Sequence, residues 1–407
     1  IDLVRVGDKY YIPLQTISDI LLAPKNINLL YNGENVYILG SGDIGNTKKG
    51  LSDIGESFYS VKPTGSISKE LSAFSYNEFC FAFDQLYGLK ETHNIATFDG
   101  LVDEAGLKPV FTGTDPTAID KAYHDIIYRY LDDKHSKYYN PSYLSGADAD
   151  KDFGKALGEG LARNEMNETL AELKGYREKY YPNGVPQYEE IGDTAYITFD
   201  SYSSDQIDYY KTAPGPDSPD TFGIISYSVT QILRDNSPIK NVVLDMSCNT
   251  GGASETACYT LAAFLGKAQL SVDNPFTGAR ETDVYTADTN LDHKFDEKDY
   301  LYGKGIRMYC LTSPVSFSCG NLVPCYFKNS GKVTIIGKQS GGGSCSSMVL
   351  TTAGGSIVRL SSYNRLSFLK NGAFYDIDTG APVDHAIDDY THYFDRKALS
   401  DYIRKLY

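Results

Sequence analysis

The sequence predicts an α/β protein, and three observations carry that prediction. Beyond residue 187 apolar strand-like runs alternate with helix-length amphipathic segments. The run at 242–245 is wholly apolar up to its terminal aspartate, as a strand covered on both faces requires. At least two strand-to-helix junctions carry glycine or serine clusters, at 245–252 and 312–321, where ligand-facing backbone is usually found. Strands are expected at 194–199, 242–245, 307–311 and 333–336. Helices are expected at 222–234, at 254–265 and after Ser318.

The earlier part of the chain reads differently. Residues 1–60 form a small β-rich module, with strands at 3–6, 10–12 and 35–38 separated by glycine-containing turns. The passage 40–56, rich in Gly, Ser and Asp, reads as a linker or exposed loop. Over 68–145 the apolar spacing becomes helical: Phe79, Phe81, Phe83, Leu86 and Tyr87 form one cluster, and Ile119, Ala122, Ile126, Ile127 and Tyr130 recur at three- and four-residue steps. A further amphipathic helix is expected near 161–179. The α/β part is assigned to 187–407.

Composition bounds the function. The 407 residues hold 38 Lys+Arg against 53 Asp+Glu, a net charge of 38 − 53 = −15, with no basic run. Nucleic acid is therefore not expected as a partner. No apolar run approaches the ~20 residues that a transmembrane helix needs. Seven cysteines lack CxxC or His-paired zinc spacing, so neither a disulfide framework nor a zinc site is indicated.

Two segments carry candidate chemistry. In Leu244-Asp245-Met246-Ser247-Cys248-Asn249-Thr250-Gly251-Gly252 a strand runs into two glycines before a helix, leaving backbone N–H groups open toward an oxyanion. In Thr312-Ser313-Pro314-Val315-Ser316-Phe317-Ser318-Cys319-Gly320-Asn321 a hydroxyl at the strand-to-helix junction suits a nucleophile, although a Ser-rich turn is also a common helix cap.

Together these segments resemble the C-terminal processing (tail-specific) and tricorn-type serine peptidases. The Asp-x-x-x-Asn-x-Gly-Gly motif of that family matches Asp245, Asn249, Gly251 and Gly252. Its Ser-Ala-Ser-Ala-x-Glu motif is matched by 316–321, and its second Ser corresponds to Ser318. The loop Gly341-Gly342-Gly343 and the segment Gly380-Ala381-Pro382-Val383-Asp384 also correspond. The resemblance implies a crotonase-like ββα spiral, a polypeptide substrate, no organic cofactor and an extracytoplasmic location. It leaves the oligomeric state open.

The resemblance also implies residue roles. Ser318 is the nucleophile, and backbone N–H groups of Gly251 or Gly252 and of Cys319 hold the oxyanion. In the tail-specific branch a Lys in the Gly-rich loop is the base, but the aligned residue is Gly343 and the nearest Lys is Lys338. The tricorn-like branch uses a His in a Leu-x-Asp-x-His-Ser/Thr pattern, matched by Leu131, Asp133, His135 and Ser136. His135 is the expected base, with His385 as runner-up. Ser136 and Asp378 are expected to complete the set, with Asp376 as the fallback acid. Two alternatives stand beside this reading: a non-catalytic binding protein on the same fold, and Cys319 as nucleophile.

A separate motif occupies 288–299. Asp288, Asn290, Asp292, Asp296 and Asp299 stand at positions 1, 3, 5, 9 and 12 of a twelve-residue loop, with the Lys294 carbonyl at position 7, the pattern of an EF-hand or dockerin-type Ca²⁺ loop. His293 replaces the usual Gly at position 6, and Asp replaces Glu at position 12. A structural Ca²⁺ is expected there, against the plainer reading of a solvated acidic loop.

Overall fold

A computed structural model describes residues 3–42, 44, 51, 54–153, 159–275 and 277–406. Residues 43, 45–50, 52 and 53 of the expected linker lie outside these. The chain divides into two compact units, the first comprising 1–164, 275–277 and 345–365, the second 165–274, 278–344 and 366–407.

In the first unit, helices Lys69–Leu86, Phe98–Glu104 and Pro116–Asp125 surround an aromatic core. Phe79 stacks on Phe111 with centroids 5.2 Å apart and meets Tyr123 edge-on at the same separation. Phe79, Phe83 and Leu86 share one helix face, whereas Phe81, expected among them, points outward because two residues is half a helical turn. Helix Pro116–Asp125 is capped by Asp115 and continues as a π-helical turn, Ile126–Leu131. Strands Lys137–Asn140, Ile357–Ser367 and Cys345–Thr351 pair antiparallel, with the Ile357–Ser367 strand between the other two.

The first sixty residues contain hairpins Val4–Val6 with Lys9–Tyr11 and Ile27–Tyr31 with Val36–Gly40. Between them residues 14–25 are helical rather than the expected strands and turns. A long-range polar contact holds this piece: the buried Asp19 carboxylate accepts the Thr351 N–H at 2.9 Å, and Thr351 Oγ1 reaches the Leu29 carbonyl.

In the second unit the expected alternation is realised. The strands of its main sheet and the helices named below are β1 (Tyr188–Ile191), β2 (Thr194–Thr198), α1 (Thr221–Leu233), β3 (Asn241–Asp245), α2 (Ser254–Leu265), β4 (Arg307–Thr312), α3 (Cys319–Ser330), β5 (Val333–Gly337), β6 (His385–Ala386) and α4 (Arg396–Ile403). The strands lie in chain order β1 to β6 across one sheet. It is parallel except for β1, which pairs antiparallel with β2.

Strand periodicity sorts side chains into two cores. Ala195, Ile197, Val242, Leu244, Met308, Cys310, Val333 and Ile335 pack with α1, α2 and α3. Tyr196, Val243, Tyr309, Leu311 and Ile336 pack on the opposite face with Met166, Leu173, Leu399 and Ile403. Because both faces are covered, the strand ends are where the sheet exposes usable backbone. Both glycine and serine junctions lie there, after β3 and after β4.

Candidate functional site

Ser318 sits between β4 and α3 with φ 58° and ψ −124°, a conformation that non-glycine residues rarely adopt. Such a backbone costs about 1–3 kcal/mol and persists only where neighbours over-determine it. Here they do. Ser318 N–H donates to the Gly342 carbonyl at 2.9 Å, Gly341 N–H to Ser316 at 2.8 Å, and Phe317 N–H to Asn249 at 3.2 Å.

The three serines of this turn are thereby distinguished. Ser313 Oγ donates to the Ser247 carbonyl at 2.6 Å and Ser316 Oγ to the Met246 carbonyl at 2.7 Å, and both side chains are fully buried. Ser318 is half-buried, and among the described residues its hydroxyl makes no hydrogen bond. It is the one hydroxyl of the three left available for reaction.

The turn after β3 presses directly against it. A Cβ on Gly251, at φ +103°, would stand 2.6 Å from Ser318 Cβ, so only glycine fits. Gly252, at φ +134°, runs beside Tyr202, whose carbonyl accepts the Ala253 N–H at 2.9 Å. Of the expected oxyanion donors, Gly251 is already committed: its N–H donates to Asn249 Oδ1 at 2.9 Å. The sequence could not show this, because it depends on the Asn249 side chain folding back across the turn. Among the described residues the Cys319 N–H donates to no oxygen, whereas the Gly252 N–H faces the Cys319 thiol. Burial pushes the Cys319 thiol up to about 12, so it is protonated at neutral pH and a poor nucleophile.

The Gly-rich loop explains the missing lysine. A side chain at position 343, where φ is +92°, would place its Cβ 2.3 Å from the Phe317 ring. Phe317 replaces the motif's alanine, so the two departures from the Ser/Lys pattern are sterically one. Lys338 is engaged elsewhere, its Nζ standing 4.1 Å from the Tyr390 ring centroid. Next to the loop, Asp378 Oδ1 accepts from Ser344 N at 2.9 Å and Ser344 Oγ at 3.1 Å, and Asp376 receives the Asp378 N–H. Asn321, where the motif has Glu, clamps the same region: Nδ2 donates to the Ile377 carbonyl and Oδ1 accepts from Ser340 Oγ at 2.6 Å. His385 lies in β6, paired with Ile336.

His135 and Ser136 belong to the first unit. Asp132 takes a left-handed turn, φ 41°, at the end of the π-helical segment, and Asp133 then gathers the following backbone. Asp133 Oδ1 accepts the N–H groups of His135 at 2.9 Å and Ser136 at 2.8 Å, and Ser361 Oγ at 2.6 Å; Oδ2 accepts Tyr87 OH at 3.0 Å. Ser136 Oγ accepts the Ser361 N–H at 3.1 Å.

Burial acts against the Asp133 charge, but bonds from Ser136 and Ser361 and the His135 charge outweigh it and hold the carboxyl below its usual range. Burial pushes the imidazole of His135 below its usual 6.5, opposed by Asp133 and assisted by nearby cations. Asp133 was not singled out from the sequence as a functional acid, although it is the Asp of the Leu-x-Asp-x-His pattern.

The 288–299 loop folds on itself. Asp288 accepts the N–H groups of Asp292 at 3.2 Å and His293 at 2.9 Å, together with Tyr210 OH; Asp299 accepts those of Thr289 and Asp296, both at 2.9 Å. Asn290 Oδ1 and Asp292 Oδ1 accept from Asp292 and Lys294 N–H. His293 adopts the left-handed φ of 63° required at position 6 and stacks on Tyr210, with centroids 4.3 Å apart. Among the described residues, no three His, Cys, Asp or Glu side chains stand close enough to hold a metal ion.

Residues 193–368 match the model of Peptidase family S41. Over this stretch, which is less than half of the chain, the sequence is similar to peptidase family S41, a family of serine peptidases. The S41 match covers the glycine junction, Ser318 and the Gly-rich loop. No curated protein matches the sequence.

Among solved structures, a candidate peptidase from Parabacteroides merdae is 14% identical over 84% of this chain and 97% of its own, with a TM-score of 0.55, which shows a shared fold. A lipoprotein from Streptococcus agalactiae is 14% identical over 85% of this chain and 98% of its own, TM-score 0.47. The photosystem II D1 C-terminal processing protease is 18% identical over 50% of this chain, TM-score 0.36, and the match spans 47% of its length. Among the described residues no helix is long and apolar enough to cross a membrane.

The packing of Gly343 on Phe317 is testable. Gly343→Ala should lower stability by about 1–3 kcal/mol, through the left-handed backbone and the ring collision. In Phe317→Ala/Gly343→Ala the collision is gone, so denaturant melts of the two singles and the double should show a less-than-additive loss. Simple additivity would mean that the two residues do not share the space.

Proposed function

We propose that this chain is a serine peptidase acting on polypeptide. Ser318 Oγ attacks the scissile carbonyl carbon while His135 takes the hydroxyl proton. The tetrahedral oxyanion is held by the N–H groups of Gly252 and Cys319, the leaving amine departs with the proton from the imidazole, and water then hydrolyses the acyl-enzyme. The observation that carries this reading is the strained backbone of Ser318 at a strand-to-helix junction, with an unengaged hydroxyl and glycine packed against it. Strain of that kind is retained where it aims a reactive side chain. The role of His135 rests on its motif.

Fluorophosphonate labelling read by intact mass tests both roles. Wild type should label at pH 7.5, whereas Ser318→Ala should not label at all and His135→Ala should be slowed about 10⁴-fold or more. An imidazole lowered below 6.5 remains the neutral base throughout pH 7–8 and is lost only as pH falls through its lowered value. The acid limb of the labelling rate should therefore lie below pH 6.5 in wild type. Labelling of Ser318→Ala would reassign the nucleophile; no labelling of any form would favour a non-catalytic binding protein.

We also propose that Ca²⁺ staples the 288–299 loop. The left-handed His293 and the inward-turned Asp288 and Asp299 support this. Asp288, Asn290, Asp292, Asp296 and Asp299 would supply side-chain oxygens, and Lys294 its carbonyl. Millimolar Ca²⁺ should raise the melting temperature relative to EGTA, and Asp288→Asn should remove the difference. Identical melting in Ca²⁺ and EGTA would rule the site out.

An extracytoplasmic location is part of the same proposal, supported by the habit of the peptidase family that the motifs resemble. Fractionation of native cells should place the chain outside the cytosol.

A further inference from the structure

In the turn that presents His135, three successive carbonyl groups, of Lys134, His135 and Ser136, accept from two guanidinium groups. Arg359 Nε donates to the His135 carbonyl at 2.7 Å. An Arg163 terminal nitrogen donates to the Lys134 carbonyl and reaches the Ser136 carbonyl at 3.5 Å. Arg359 comes from the strand Ile357–Ser367 and Arg163 from the start of the helix Leu161–Tyr180, so the two cations approach from different elements of the first unit. They are close enough that the Arg359 charge, after burial, helps to lower the Arg163 pKa.

We propose that Arg163 and Arg359 are positioning residues for His135, locking the turn that carries the imidazole and holding two positive charges beside it. This rests on His135 being the catalytic base. The arrangement answers a particular difficulty. A carboxylate next to a histidine favours the imidazolium form, and a base that is already protonated cannot take a proton. Asp133 organises the turn and pulls in that direction. The guanidinium charges pull the other way, so the turn gains the hydrogen bonds of Asp133 without surrendering a neutral imidazole.

Among the described residues, the charged groups that act most on His135 are Asp133, Arg359, Arg163 and Lys134. Glu159 lies 3.8 Å from Arg163 Nε and is also paired with Lys137 at 2.9 Å, so it only partly offsets the Arg163 charge. Arginine suits the role because its charge does not titrate and its planar fork can serve carbonyl groups while buried.

The test uses the full-length protein and two readings of His135. One is the imidazole titration followed by NMR, which needs no activity. The other is the pH dependence of fluorophosphonate labelling. In Arg359→Gln, and in Arg163→Gln, the His135 midpoint should rise by about 0.5–1 pH unit, and the acid limb of labelling should move up with it. Arg359→Lys keeps the charge but loses the Nε–H donor. Its midpoint should stay within about 0.3 unit of wild type, while labelling at pH 8 slows by about 10-fold because the turn is no longer fixed.

Unchanged midpoints in both Gln variants overturn the proposal, as does an Arg359→Lys variant that labels at the wild-type rate. Should one Gln variant fail to fold, the other and Arg359→Lys carry the test. If instead wild type labels and His135→Ala labels equally well, it is the catalytic reading that fails; the NMR midpoints still report separately on the two arginines.

Discussion

The functional architecture of the second unit depends on one close approach: the backbone of Gly251 against Ser318. Two strand ends of a buried parallel sheet are brought together so tightly that no side chain fits between them. Everything around this contact serves to maintain it. Asn249 satisfies the Gly251 N–H, ties back to the Phe199 carbonyl through Nδ2 and accepts the Phe317 N–H on its own carbonyl. Gly320 is required next to Asn249, because a Cβ there would stand 2.5 Å from the Asn249 carbonyl oxygen. The glycines of the two junctions thus follow from one requirement, that three backbone segments share the space around a single serine.

That requirement also determines which groups are left for chemistry. Buried hydroxyl and amide groups are costly unless they are paired. Ser313, Ser316, Asn249 and the Gly251 N–H all find partners inside the turns. What remains of these turns is the Ser318 hydroxyl and the Cys319 N–H, at the start of α3, where the helix terminus favours negative charge.

The first unit solves a different problem with charge rather than crowding. Its His135 turn follows a π-helical segment and a left-handed Asp132. Asp133 takes the N–H groups and the two arginines take the carbonyl groups. The result is a short loop with an acid on one side of its backbone and bases on the other, in which the electrostatic balance at the imidazole follows from how the backbone is satisfied.

Much of this was legible in the sequence, and the limits have physical causes. The helix at 254–265 and the four inner strands of the central sheet could be read because burial on one face or both imposes a period of 3.6 or a continuous apolar run, properties local to a dozen residues; the edge strands β1 and β6, covered less fully, were not. Asp245, Asn249, Gly251, Gly252 and Ser318 could be singled out because they match the motifs of a known peptidase family at two strand-to-helix junctions. The helical stretch 14–25 was missed, since the bond between Asp19 and Thr351 spans more than three hundred positions. The commitment of Gly251 N–H, the exclusion of a side chain at 343 by Phe317, and the grouping of Asp133, Arg163 and Arg359 around His135 were likewise invisible. The sequence by itself determined which elements form and which residue types stand at their ends. Only the tertiary structure decided which of those groups remain unpaired, because pairing depends on distances between residues that are remote along the chain.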